Sequence, residues 1–303
     1  MGPTGAGKTD LAVELATRLP VEIVSVDAAM VYRGMDIGTA KPPPEVPARA
    51  PHHLLDLVDP AESYSAARFL ADAGAAVKAI EARGHVPLFA GGTMLYFRAL
   101  QSGLARLPAA DPAIRRRLEA RASVEGWPAL HSELARRDRQ AAARIRPNDR
   151  QRIQRALEVI ERTGQPFSRQ LGQDLRRAVH AGDLRLVAAP TDRKRHGQRL
   201  AQRFEDMMRC GLLDEVRALH GRPDLHAALP AMRLIGYRQL WAYLDGRSDL
   251  ETAVQGAIIA TRQLARRQLT WLRAEPDAEW LDPWREAAPA RLLERVANWL
   301  AGR

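Results

Sequence analysis

GPTGAGKT, Gly2 to Thr9, opens the chain and completes the pattern G-x-x-x-x-G-K-T at Gly2, Gly7, Lys8 and Thr9. Glycines at this spacing let a backbone turn its N–H groups inward around phosphate oxygens, with Pro3, Thr4, Gly5 and Ala6 completing the cradle. Lys8 supplies a point charge to the terminal phosphates, and the Thr9 hydroxyl can ligate Mg²⁺. Thr9 to Leu19 reads as a helix, with Leu11, Leu15 and Leu19 four residues apart, so its positive dipole end faces the same loop. The stretch is a P-loop, a site for a di- or triphosphate. Such a loop ordinarily follows a strand of roughly five residues. Met1 cannot supply one, so the central strand of the sheet is expected to be missing here, through a late start codon or a truncation.

Outward from the loop, short apolar runs alternate with helical patterns, the mark of a parallel α/β sheet. Val21–Val26 is a β-branched run closed by Asp27, and Val86–Ala90 is a second buried strand that stops at Gly91-Gly92-Thr93. Ala66–Arg83 reads as a helix between them, and Pro42–Pro51 as a proline-rich loop. Asp27 and Thr93 therefore sit at the strand ends where open α/β folds bind ligands. An Asp also suits a turn and a Thr a helix cap. The paired glycines indicate a close approach to the backbone.

Composition changes near Pro108. From Asp111 to His180 the pattern is helical and rich in Arg and Ala, with helix starts at Asp111-Pro112 and Asn148-Asp149. Leu184–Ala189 (LRLVAA) returns the chain to the sheet, and helices dominate from Lys194 onward. The expected architecture is α/β: a P-loop NTPase-like parallel sheet core, residues 1–108 and 181–303, interrupted by a helical insertion over residues 109–180.

Charge separates these parts. Residues 1–100 carry nine Lys/Arg against eleven Asp/Glu, residues 101–180 seventeen against nine, and residues 181–303 twenty against sixteen. The middle segment thus holds +8 of the net +10, an electrostatic footprint for a polyanion and most simply for nucleic acid. A GC-rich genome accounts for there being only four lysines among 46 basic residues, but not for the clustering. A single cysteine, Cys210, excludes an internal disulfide and fits a reducing cytoplasm. No apolar run reaches the ~20 residues of a membrane span, and no secretory signal is present, so a soluble intracellular protein is expected. His52 and His53 suggest a metal pair, but neighbouring side chains diverge, and they read as structural.

Seven blocks carry a resemblance. GPTGAGKT, SVDAAMVYRGMDIGTAKP (Ser25–Pro42), APHHLLD (Ala50–Asp56), GGTMLYF (Gly91–Phe97), RPNDRQRIQRALE (Arg146–Glu158), RLIGYRQLW (Arg233–Trp241) and TRQLARRQLTWLR (Thr261–Arg273) resemble, in order, the tRNA dimethylallyltransferases. The resemblance implies transfer of a dimethylallyl group from dimethylallyl diphosphate to N6 of the adenosine at tRNA position 37, next to the anticodon. It implies release of diphosphate, a requirement for Mg²⁺, and tRNA bound through its anticodon stem-loop. It implies Asp27 as the base for the N6 amine and Thr93 beside the reacting groups. The tRNA contacts would fall on Asp27, Ala28, Ala29, Met30 and Thr93; on Arg115, Gln151, Arg152, Ile153, Gln154 and Arg155; on Arg233, Leu234, Ile235, Gly236, Tyr237 and Arg238; and on Arg266, Arg267, Gln268 and Arg273. Where the family commonly has Ser after the catalytic Asp, this chain has Ala28, which puts one substrate contact in doubt.

The chemistry is coherent without the name. An exocyclic adenine amine is a weak nucleophile, and a carboxylate that takes its proton raises its reactivity. The departing diphosphate gains charge, which Lys8, backbone N–H groups, Mg²⁺ and arginines stabilise; Arg233 and Arg238 are candidates, with phosphate-backbone contact as their other use. Gln151, Arg152 and Arg155 share a helix whose Ile153, Leu157 and Ile160 face a core, a pattern that also suits a solvated face. An adenylate isopentenyltransferase has little use for a basic insertion of this size. A small-molecule P-loop kinase would usually close its second strand with an acidic residue, not Gly-Gly-Thr. A non-catalytic RNA-binding protein would leave Lys8, Thr9 and Asp27 idle. No sequence feature demands a dimer.

Overall fold

The Gly2–Thr9 loop runs into α1 (Lys8–Arg18), and all six residues of the following strand, β1 (Val21–Val26), are buried. Burial on both faces is what a parallel strand covered by helices requires. The computed structural model describes residues 1–105, 107–171, 183–275 and 277–302. The expected helical stretch over 172–180 lies outside them.

β1 is the middle strand of a parallel sheet of order β2-β1-β3. The chain reaches β2 (His52–His53) through α2 (Glu45–Arg49), then passes α3 (Ala66–Glu81) to β3 (Val86–Gly91) and α4 (Met94–Ser102). The register pairs Ile23 with His52, Val21 with Val86, and Val26 with Gly91. Helix α3 buries Phe69, Ala73 and Ile80 and is capped by Ser65, whose hydroxyl accepts the Arg68 N–H. The proline-rich segment read as loop contains the single turn and a half of α2. Its Pro47 falls in the first turn, where the missing N–H would have no helical partner, and Glu45 complements the dipole. Because the strands are parallel, the carboxyl ends of β1 and β3 lie together. Asp27 therefore stands beside Gly92 and Thr93.

The chain divides into two compact units, Met1–Gln101 with Ala178–Arg303, and Ser102–Arg177. The second consists of α5 (Pro112–Glu125), α6 (Trp127–Arg137), α7 (Arg139–Arg144), α8 (Arg150–Thr163) and α9 (Phe167–Gln170). Asp111 caps α5 by accepting the N–H groups of Ala113 and Ile114, and Asp149 caps α8 by accepting that of Arg152. Leu118, Leu130, Leu134, Ile153 and Leu157 form its core with no exposed surface. Beside that core lies the fully buried carboxylate of Glu158. It accepts the Asp111 N–H at 2.6 Å, a fork from Arg115 at 3.0 and 3.1 Å, and Arg155 at 2.7 Å. A buried charge is tolerated only when satisfied in this way.

The first unit resumes with β4 (Leu186–Ala188), α10 (Arg193–Arg209), α11 (Leu212–His220), a 3₁₀ turn (Ala231–Arg233), α12 (Tyr237–Leu244), α13 (Leu250–Leu272), β5 (Glu279–Leu281) and α14 (Ala288–Ala301). β5 was not legible in advance: three residues with an exposed Trp280 carry no strand periodicity. It pairs in parallel with β4. The Met1 backbone lies along β4, donating to Leu186 O at 2.8 Å and accepting from Ala188 N at 2.9 Å. Among the described residues no ladder joins β3 to β4; a cavity of about 160 Å³ lies there instead, lined in part by Val86, Leu88, Leu184 and Leu186. Helix α14 packs Leu292 and Val296 against Leu11 and Leu15 of α1. Among the described residues no helix is long and apolar enough to cross a membrane.

Candidate active site

Two open cavities meet at the carboxyl edge of β1 and β3. The first, about 670 Å³, is walled by Thr4, Gly5, Gly7, Lys8 and Thr9 of the loop and by Arg199 and Arg203 of α10. The second, about 500 Å³, is mostly apolar, with Met94, Leu95, Phe204, Met207, Leu264 and Trp271 among its walls. Thr4, Asp27, Thr39, Gly92, Arg203 and Gln268 line both. An anionic group in the first cavity and an apolar or aromatic group in the second would meet at Asp27.

The loop is built for anions. Gly7 caps α1 at φ 89°, a left-handed conformation that L side chains rarely adopt, and it turns the helix N-terminus onto the first cavity. The Lys8 ammonium donates to Pro3 O at 2.7 Å. Burial pushes its pKa down to about 8; Asp27 opposes the fall and Arg203 adds to it. His196 of α10 supports the loop through an Nε2 contact of 2.8 Å to Thr4 O, so that nitrogen carries the hydrogen. Burial holds His196 below its usual pKa, in keeping with a neutral ring.

Asp27 Oδ1 accepts the Ala29 N–H at 2.8 Å, a turn that fixes the carboxylate's direction. Among the described residues, Oδ2 takes no hydrogen bond; burial lowers the pKa of both Lys8 and Arg203, and the nearby Asp27 charge opposes that fall in each. Thr93 N donates to Val26 O at 3.1 Å, and the Thr93 hydroxyl accepts the Ala28 N–H at 3.0 Å. The two strand ends are thereby tied together at the junction of the cavities.

The structure brings many expected residues here and leaves others elsewhere. Asp27, Ala28, Ala29, Thr93, Arg233, Leu234, Ile235, Tyr237, Arg267 and Gln268 line the apolar cavity, and Met30 lines the loop cavity. Gly2, Pro3 and Ala6 are buried behind the loop. Arg233 is not on the loop cavity, and Arg238, Arg266 and Arg273 are exposed and line neither one. The guanidiniums that reach the loop cavity from the later part of the chain are Arg199 and Arg203, which sequence reasoning missed. A signal was present: Arg195, Arg199 and Arg203 recur every four residues, beside the buried stripe His196, Leu200 and Phe204. Arg199 also lies over the Trp284 ring, its Cζ 5.6 Å from the centroid, and none of the ion pairs among the described residues involves Arg199 or Arg203.

Several expected tRNA contacts are engaged within the protein rather than free on its surface. Tyr237 is fully buried, and its hydroxyl donates to Glu215 at 2.6 Å. The same carboxylate accepts the N–H groups of Asp36 and Ile37, each at 2.8 Å, and of Gly38 at 3.2 Å, so it holds the loop that carries Thr39 to both cavities. Gln268 is buried with both ends of its amide on backbone partners. In the second unit, Ile153 is core, and Arg115 and Arg155 are held by Glu158, Arg155 also donating to Pro108 O at 2.6 Å. Gln154 donates to Arg115 O and Glu119. Gln151 and Arg152 remain exposed. His52 and His53 are structural: His52 Nδ1 lies 2.6 Å from Ala50 O and His53 Nε2 lies 2.7 Å from Glu22. Among the described residues no cluster of His, Cys, Asp or Glu is arranged to hold a metal ion.

A parallel sheet with a glycine-rich loop at its carboxyl edge defines a P-loop α/β protein, and the adjoining apolar chamber sets it apart from a simple phosphate binder. The model of the IPP transferase family matches residues 30–275, so the chain belongs to that family. It is 57% identical to a tRNA dimethylallyltransferase of Bordetella petrii, over 99% of this chain and 96% of that one. It is 58% identical to the enzyme of the same name from Alkalilimnicola ehrlichii, over 100% and 95%. Among solved structures it is similar to the full-length tRNA isopentenylpyrophosphate transferase of Bacillus halodurans, with TM-score 0.72 and 35% identity over 99% of this chain and 95% of that one. It is also similar to a eukaryotic dimethylallyltransferase acting on tRNA, with TM-score 0.81 and 26% identity over 100% and 78%.

Proposed function

We propose that this protein transfers the dimethylallyl group of dimethylallyl diphosphate to N6 of the adenosine at tRNA position 37, releasing diphosphate. The observation that carries the reading is the sharing of Asp27 by an anion-binding cavity and an apolar one. The diphosphate lies against the Gly2–Thr9 loop, where Lys8, Arg199, Arg203 and the dipole of α1 offset the charge it gains on leaving. The allylic carbons and the adenine fill the apolar cavity, and together with its walls they displace water from around the developing allylic cation. The N6–carbon bond forms as the allylic carbon–oxygen bond breaks; the oxygen keeps the electron pair, and the N6 proton passes to Asp27 Oδ2. Thr93 holds Asp27 in place through Ala28 N.

Thr9, in the first turn of α1, lines the loop cavity and offers a hard oxygen donor; among the described residues no group of three acidic or His/Cys side chains is arranged to hold a metal, so a Mg²⁺ there would take most of its ligands from the diphosphate and water. When bound, the ion would neutralise charge on the leaving group. The +8 of residues 101–180 suits the anticodon stem-loop, through arginines such as Arg152 that are left exposed. Reaching Asp27 requires the base to leave its stack. We take the protein to work as a cytoplasmic monomer.

The test offers radiolabelled dimethylallyl diphosphate with unmodified tRNA or with AMP, and in parallel ATP with candidate small-molecule acceptors. Label on tRNA is expected. Label on AMP but not tRNA favours adenylate prenylation, and ATP turnover with no prenyl transfer favours a kinase. Asp27→Ala should lower transfer by about 10²–10⁴-fold while tRNA binding is kept.

A further inference from the structure

Gln268 is the one side chain hydrogen-bonded to both halves of this site among the described residues. It projects from α13, where Leu264, Arg267, Gln268 and Trp271 recur at helical spacing along the cavity wall. Its Oε1 accepts the Thr4 N–H of the anion loop at 2.9 Å, and its Nε2 donates to Gly92 O at 2.7 Å. The polarity of the partners fixes which end of the amide is which. Gly92 is a glycine because this bond needs the space: a Cβ there would stand 2.5 Å from Nε2. From Gly92 the connection continues through Thr93 to Ala28 N at 3.0 Å, and Asp27 precedes Ala28.

We propose that Gln268 is a positioning residue that locks the diphosphate loop and the Gly92–Thr93 strand end in one register, so that the leaving group and the proton acceptor keep a fixed separation. The proposal rests on the transfer reaction above for its kinetic consequence, and on geometry alone for the coupling. A displacement of even an ångström between reacting groups costs orders of magnitude in rate. A neutral amide suits the task because it donates and accepts at once. A carboxylate at this position would face Gly92 O without a hydrogen and set a negative charge beside the diphosphate.

Two substitutions separate positioning from simple support. Gln268→Met keeps the volume and removes both bonds; kcat per folded molecule should fall at least about tenfold, with KM for tRNA and for the donor changed less than about threefold. Gln268→Glu should behave differently with pH. Protonated, a carboxylic acid accepts from Thr4 N and donates to Gly92 O as the amide does. The ratio of its kcat to that of the wild type should therefore rise as pH falls from 8 to 5.5. A Gln268→Met kcat within twofold of the wild type, or a Gln268→Glu ratio flat with pH, overturns the proposal.

A measurement that needs no transfer distinguishes its failure from that of the reaction. With inorganic diphosphate as the probe, amide hydrogen exchange in the wild type should slow both in the Gly2–Thr9 loop and at Gly91–Thr93. In Gln268→Met only the loop should slow. Slowing of both segments in the variant, or of the loop alone in the wild type, overturns the coupling. A wild type that shows the coupling but prenylates no tRNA retires the proposed function and leaves the role of Gln268 standing.

Discussion

The Thr93 hydroxyl accepts the Ala28 N–H at 3.0 Å, so the residue after β3 holds the residue that follows Asp27. Thr93→Ala leaves that N–H without its acceptor at the cavity wall. The expected loss in kcat is about tenfold, from roughly 1–2 kcal/mol of lost hydrogen bonding, whereas Thr93→Ser keeps the hydroxyl and most of the rate. Steady-state transfer assays check both, and a Ser variant as impaired as the Ala one would refute this account of Thr93.

Arg203 lines both cavities without a carboxylate ion-pair partner among the described residues, whereas Arg238 lines neither. Arg203→Gln should lower kcat/KM for the donor by about 10- to 100-fold, as expected for a lost charge-assisted hydrogen bond to phosphate. Arg238→Gln should change it less than about threefold. The reverse order would return the diphosphate to Arg238, one of the two arginines, with Arg233, that the sequence suggested.

Lys8 is held down to about 8 by burial, against the opposing field of Asp27. An amine is charged below its pKa, so the contribution of Lys8 to diphosphate affinity, read as the ratio of wild type to Lys8→Arg, should be flat at lower pH and fall as pH rises through about 8. A bound diphosphate favours the ammonium and raises its pKa, so the fall starts near the pKa of the free protein and levels off only above the higher pKa of the complex. Calorimetric titrations from pH 6.5 to 9.5 check this, with Lys8→Arg as the control that stays charged throughout. Equal pH dependence in the wild type and the Arg variant would assign the titration to another group.

Glu215 accepts four hydrogen bonds, three from the backbone of residues 36–38 and one from Tyr237. Tyr237→Phe should cost about 1–2 kcal/mol of stability in urea unfolding, and Glu215→Ala more, because it strands three N–H groups. Affinity for tRNA should change less than twofold in Tyr237→Phe. A large loss of RNA binding with unchanged stability would restore Tyr237 to the interface.

Glu22 is 3% exposed in the middle of the sheet and is bonded by Arg83, His53 and His85. Arg83 holds its pKa down to about 2, with burial opposing and the two histidines assisting. A carboxylate whose pKa is lower folded than unfolded contributes its stability above the unfolded value and loses it as pH falls toward the folded one. Between pH 4.5 and 2 the wild type should therefore lose at most about 3 kcal/mol relative to Glu22→Gln. Parallel losses in the two proteins, followed by urea midpoints, would show that Glu22 is not the group responsible.

Local chemistry was legible wherever a residue's partner is close in sequence. The strand Val21–Val26 has the bounds its β-branched run predicts, and Asp111 and Asp149 cap helices as their side chains suit them to do. Arg155 read as part of a polar helical face and Arg115 as a tRNA contact implied by the resemblance, yet both turn to a carboxylate with no exposed surface, Glu158. Periodicity separates apolar from polar positions but cannot say which polar side chain is buried with a partner. The burial of Tyr237 was hidden for the same reason, its partner Glu215 lying 22 residues away on another helix.

The sequence by itself determined the anion loop, the strand that ends at Asp27 and the basic middle segment, because each depends on backbone preference or composition over a few neighbouring residues. Only the tertiary structure decided that Arg203 lies between the two cavities, and that Gln268, 264 residues from Thr4, ties the loop to Gly92. Those contacts are between groups that meet only when the parallel sheet brings its carboxyl ends together and α10 and α13 close over them. A hydrogen bond of 2.7 or 2.9 Å leaves no trace in a pattern read along the chain.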